Sequence, residues 1–106
     1  MPLNDVLRGN IQYSVLLNTT LSPTSVPNGS GNEQTFTVQG LQVGDFVNVA
    51  KPTAQAGLSI GNSRVSSANT LAITFANSTS ATITPTASEV YIVAVDRPIG
   101  VLPYSM

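Results

Sequence analysis

Glu89-Val90-Tyr91-Ile92-Val93-Ala94-Val95-Asp96 is the stretch on which the fold class turns. Read with a period of two, Val90, Ile92 and Ala94 fall on one face and Tyr91, Val93 and Val95 on the other, and β-branched and aromatic side chains favour a pleated backbone. Two apolar faces predict a strand in the middle of a sheet, or one covered by a partner. Upstream, Pro85 stops a brief strand at 81–84, residues 77–80 make a turn, and residues 70–76 alternate again. Leu71, Ile73 and Phe75 then point inward, with Thr70, Ala72 and Thr74 outward.

Further towards the amino terminus, residues 57–60 and 64–67 read as two short strands separated by the turn formers Gly61 and Asn62. Residues 34–39 alternate cleanly, Phe36 and Val38 against Thr35, Thr37 and Gln39, and residues 46–50 resume the strand pattern before Pro52. The connection between them is a structural turn. Gly40 and Gly44 supply positive φ and Asp45 caps the turn through its side-chain oxygen, so a hairpin of 34–39 with 46–50 is expected. Phe36, Phe46 and Phe75 are placed in the core. Residues 21–32 hold Pro23, Pro27, Gly29 and Gly31 and read as an exposed loop, while residues 11–17 read as the first strand.

Seven or eight short strands with no helix longer than a turn predict an all-β fold, a single antiparallel β-sandwich of which the jelly roll is one form. The sandwich takes residues 11–96. Residues 1–10 and 97–106 form extended amino- and carboxyl-terminal arms, in which Leu3, Val6, Leu7, Ile99, Val101, Leu102 and Tyr104 are apolar and Pro2, Pro98 and Pro103 limit the backbone. Such segments lose little entropy when fixed against a neighbour, so these seven residues are the candidate partner-binding set.

Composition narrows the chemistry. The 106 residues include no histidine, cysteine or tryptophan, and only 8% are charged against 42% hydrophobic. That charge content is far below the usual quarter, which self-association would explain. Four scattered cations, Arg8, Lys51, Arg64 and Arg97, make a poor footprint for phosphate, so nucleic acid is not an expected partner. No apolar run nears the roughly 20 residues that cross a bilayer, and no basic region followed by an apolar stretch opens the chain, so no membrane partner is expected either.

An enzyme would have to work with Glu33, Asp45, Glu89, Asp96 and the tyrosines Tyr13, Tyr91 and Tyr104. Glu89 and Asp96 bracket one strand, about 23 Å apart at its ends, and cannot flank one bond. Only acids converging from separate strands would leave catalysis open. No clustered ligands suggest a metal, no glycine-rich loop precedes a helix, and no cofactor is expected. The tyrosines could stack a sugar ring but serve packing better. The sequons at Asn18, Asn28 and Asn77 reflect an Asn/Ser/Thr-rich composition.

One resemblance adds to this. Val38-Gln39-Gly40-Leu41-Gln42-Val43-Gly44-Asp45-Phe46-Val47, then Ala56-Gly57-Leu58-Ser59-Ile60, then the run from Arg64-Val65-Ser66 to Asn77-Ser78-Thr79, continued by Ile83-Thr84-Pro85 and residues 91–95, resemble small β-rich virion structural proteins of tailed bacteriophages. The resemblance covers a little over half the chain. It implies a capsid decoration or cement protein, without catalytic residues, that clamps major capsid protein subunits on the outer capsid surface of the virion together with copies of itself as a homotrimer. A receptor- or carbohydrate-binding module of a phage fibre or tail is the alternative.

Overall fold

The computed structural model describes residues 10–105. It is all-β, with six strands: β1 (Ile11–Leu21), β2 (Ser30–Thr37), β3 (Phe46–Ala50), β4 (Leu58–Ser67), β5 (Thr70–Asn77) and β6 (Glu89–Pro98). They form two antiparallel three-stranded sheets ordered β1-β6-β3 and β2-β5-β4. The strand read from both sides, β6, is the central strand of the first sheet, and β5 is its counterpart in the second. Leu21, Val47, Tyr91, Val93 and Val95 from one sheet and Val65, Leu71, Ile73 and Phe75 from the other meet in one buried cluster, closed by Val26, Val38 and Leu41 from the connections.

Residues 21–32, read as an exposed loop, instead bury Leu21 and Val26 and begin β2 at Ser30, and four further sequence expectations are corrected. The hairpin of 34–39 with 46–50 does not form, because β2 pairs with β5 and β3 with β6. The connection between them passes from one sheet to the other. Asn69 in the β4–β5 turn holds it there: the Val38 N–H donates to the Asn69 carbonyl at 2.9 Å, the Asn69 N–H to the Leu41 carbonyl at 2.8 Å, and the Gly40 N–H to Asn69 Oδ1 at 2.8 Å. Leu41 is thereby pinned in the core.

The second of these four corrections concerns the segments 57–60 and 64–67, which are not two strands but parts of one ten-residue strand, Leu58–Ser67. Gly61 and Asn62 are absorbed as an irregularity in register opposite Thr74, the role an extra residue plays in a β-bulge. Thirdly, residues 81–84 contribute only an isolated bridge, Ile83 to Val26, with backbone hydrogen bonds of 2.7 and 3.1 Å, so the described strands number six. Lastly, β6 buries only its Tyr91, Val93 and Val95 face. Val90 and Ile92 stay nearly half exposed, and Phe46, placed in the core by the sequence reading, is 66% exposed on the same outer face. The pairings put Phe46 opposite Asp96 and Val47 opposite Val95, which gives the inward positions of β3 to Val47 and Val49.

Candidate interaction surface

The outer face of the β1-β6-β3 sheet follows from strand register alone. Residues directly opposite in an antiparallel pair share a face, so Leu16 stands beside Ala94, Ile92 beside Ala50 and Asn18, and Val90 beside Thr20. Leu16 is 72% exposed. A shallow depression lies between Leu16, Asn48, Val49, Ala50, Ile92 and Ala94. Towards the far end of the sheet a second groove, of about 330 Å³, is lined by Asn10, Ile11, Gly44, Phe46, Asp96, Pro98 and Leu102. The other sheet presents a different exterior. Thr35, Thr70, Thr74, Asn62 and Ser59 cover it, and the Arg64 guanidinium spans it to reach both carboxylate oxygens of Glu33 at 2.8 Å. Apolar surface is thus gathered on one face of the molecule, which is how association surfaces differ from scattered exposed side chains.

The groove is held in shape by a charged clamp. Arg97 donates from Nε to Asp45 Oδ1 at 2.8 Å and from Nη2 to Oδ2 at 2.9 Å and to the Gly40 carbonyl at 2.7 Å, while its guanidinium lies 4.7 Å from the centre of the Tyr13 ring. Asp45 also accepts from the Gln42 N–H at 3.0 Å, and Gly40 and Gly44 take φ of +95° and +101°, values open to glycine at little strain. The clamp therefore ties the 40–45 connection to β6 and β1, and sets the Gly44 and Phe46 wall of the groove.

Of the candidate partner-binding residues, Ile99, Val101, Leu102 and Tyr104 are all well exposed beyond β6, and Val101 and Tyr104 are essentially fully so. Leu102 is brought against the groove with Phe46 and Ile11. The Ile99 N–H donates to the Asn10 carbonyl at 2.7 Å, which anchors the start of this segment beside β1. Leu3, Val6 and Leu7 lie outside the described residues. The sequence reading missed Leu16, Phe46, Val90 and Ile92 as surface residues. Their signal was the second apolar face of β6, and for Phe46 the alternation with Asn48.

The titratable groups are dispersed. Among the described residues the three cations are each paired: Lys51 Nζ lies 2.9 Å from Glu89 Oε1, Arg64 binds Glu33 and Arg97 binds Asp45. Hydrogen bonds from Thr53 and Lys51 hold the Glu89 carboxyl below its ordinary 4.5, those from Arg97 hold Asp45 below 3.8, and those from Arg64 lower Glu33. Burial, reinforced by the Glu89 charge, pushes the Tyr91 hydroxyl up from 10.0 to about 12. Tyr91 is fully buried and is no platform for a sugar.

A pH profile follows from these directions. The unfolded chain binds protons at its carboxylates before the folded one does, so their contribution is complete above about pH 5 and is lost as pH falls through the lowered folded values. Tyr91 works in the opposite sense: its contribution is complete below pH 10.0 and is lost as pH rises through about 12. With no histidine or cysteine between, the urea midpoint is expected to stay level from about pH 6 to pH 9 and to fall on both sides. A midpoint that changes steadily across that interval would contradict it.

Compared with known proteins, the chain matches no family model, no curated protein and no solved structure.

Proposed function

We propose that the chain is a non-enzymatic structural protein of a phage virion, which decorates the outer capsid surface and stabilises the shell by bridging major capsid subunits. In this reading the two sheets form a sandwich of the jelly-roll kind, in support of which the first strand lies beside the last and the second beside the last but one. The observation that carries the proposal is the one-sided distribution of apolar surface: Leu16, Phe46, Val90, Ile92 and the residues after β6 are exposed, while the opposite sheet is polar. Adhesion would come from burying that face and the 99–105 segment against the shell.

The test is occupancy on capsid shells assembled from the major capsid protein of the same phage. The full-length chain carrying Ile99→Ser, Val101→Ser, Leu102→Ser and Tyr104→Ser is expected to bind shells on the order of a thousandfold more weakly than the parent, since four apolar side chains at about 1 kcal/mol each on burial sum to about 4 kcal/mol. Binding by the parent should change little between about 0.1 and 1 M salt, because apolar contacts are not screened. Undiminished occupancy of the variant removes the carboxyl-terminal segment from the mechanism. Binding to a glycan array with no association to shells would replace the proposal by a receptor- or carbohydrate-binding module.

A further inference from the structure

We propose that β1 is a pairing edge through which two copies of the chain join about a two-fold axis, β1 of one copy lying antiparallel to β1 of the other. This goes beyond the capsid reading and does not depend on it. Each three-stranded sheet has two edges, and three of the four are obstructed. The β3 edge has only five residues, and its Val47 carbonyl accepts from Ser63 Oγ of β4 at 3.2 Å. β4 shifts register at Ile60/Asn62 and again at Val65/Ser67, irregularities of the kind that twist an edge away from partners. β2 carries the charge of Glu33, held by Arg64.

The fourth edge is the least protected: its one register shift, between Ile11 and Tyr13, lies at its very start. β1 runs eleven residues, Ile11-Gln12-Tyr13-Ser14-Val15-Leu16-Leu17-Asn18-Thr19-Thr20-Leu21, with no charged side chain and no proline. Its register with β6 is regular from Tyr13 onward, and among the described residues no strand pairs with its other side. A long, uncharged, apolar edge presents a row of backbone donors and acceptors to any strand of matching pattern.

The strand that matches best is its own copy. A two-fold axis sets a surface against itself, and an uncharged strand brings no like charges together. With Leu16 on the axis, the regular part of the strand sets Leu16 opposite Leu16, Val15 opposite Leu17, Ser14 opposite Asn18 and Tyr13 opposite Thr19. Apolar side chains then meet apolar ones at the centre and polar meet polar beside them, with Tyr13 against Thr19 further out. Leu16, now 72% exposed, gains cover, and the two sheets merge into one of six strands whose outer apolar faces are continuous.

The absence of cysteine makes the arrangement directly testable in the full chain. Opposed residues across an antiparallel pair have Cα atoms about 4.5–5.5 Å apart, within disulfide range, so Leu16→Cys is expected to cross-link to its copy roughly tenfold faster under mild oxidation than Thr35→Cys, which sits on the opposite sheet's polar exterior. Sedimentation of the parent is expected to give twice the 11.0 kDa chain mass, and Leu16→Lys to give the single mass with an unchanged circular dichroism spectrum. Should Leu16→Lys fail to fold, the cross-linking comparison still decides. A parent monomeric at about 100 μM, well above typical dissociation constants of specific dimers, overturns the inference, whether or not shells bind it. So does a mass of three copies, or Leu16→Cys linking no faster than Thr35→Cys.

Discussion

Replacing Phe75 by alanine is expected to lower the unfolding free energy by about 3–5 kcal/mol, the range for removing a buried aromatic ring and leaving part of its volume unfilled. Phe75 is fully buried on β5, paired with Asn32 on one side and Ile60 on the other, at the point where the second sheet faces the first. A domain of this size holds only about 5–15 kcal/mol in total, so the variant should sit near its folding threshold. Urea titration followed by far-ultraviolet circular dichroism measures the loss, and an unchanged slope would show that two-state behaviour survives. Phe46→Ala is the matched control. Phe46 is 66% exposed, and its removal should change stability by less than about 0.5 kcal/mol while acting on association instead. A loss at Phe75 no larger than at Phe46 would mean that the two sheets do not pack across it.

Asn77→Ala is expected to cost about 2–4 kcal/mol, since it strips several hydrogen bonds from one buried site and leaves groups there without partners. Asn77 ends β5 and is 2% exposed. Its Nδ2 donates to the Val26 carbonyl at 3.1 Å and the Ala81 carbonyl at 2.8 Å, and its Oδ1 accepts from the Thr79 N–H at 2.9 Å and hydroxyl at 2.7 Å. One amide therefore joins the 22–29 connection to the turn after β5. Val26 and Ile83, bridged beside it, should loosen together, seen as faster amide exchange at both with β6 protected as before. Asn77→Asp keeps the acceptor but loses both donated bonds, and should be no better than alanine. The same burial gives the Asn77 sequon a structural reading: its Thr79 hydroxyl serves the turn, and the folded amide is closed to glycosylation.

The alternation of residues 70–76 and 89–96 was legible because a central strand buries one whole face, and burial writes a period of two into neighbouring positions. Sheet membership was not. The 34–39 and 46–50 segments look like a hairpin locally, yet Asn69, about thirty positions further on, captures the Gly40 N–H and sends them into different sheets. The clamp of Arg97 on Asp45 was equally hidden: Asp45 reads as a turn residue from its neighbours, and its cation comes from the far end of the chain. Gly61-Asn62 has the composition of a turn and the geometry of a bulge, a choice made by the register of β4 against β5. On the candidate surface, the second apolar face of β6 was visible in sequence. Leu16 and Phe46, which share that face, become its neighbours only through pairings across long separations.

Those separations also govern how the molecule comes into being. Ile11 pairs with Pro98 and Leu21 with Glu89, so β1 waits for β6, the last of the described strands, before it has a mate. A chain emerging from the ribosome can close the β4–β5 hairpin early, but β1 stays unmated until β6 has been made. Newborn polypeptide, crowded on a polysome, is then the form in which a bare uncharged ribbon meets others of its kind.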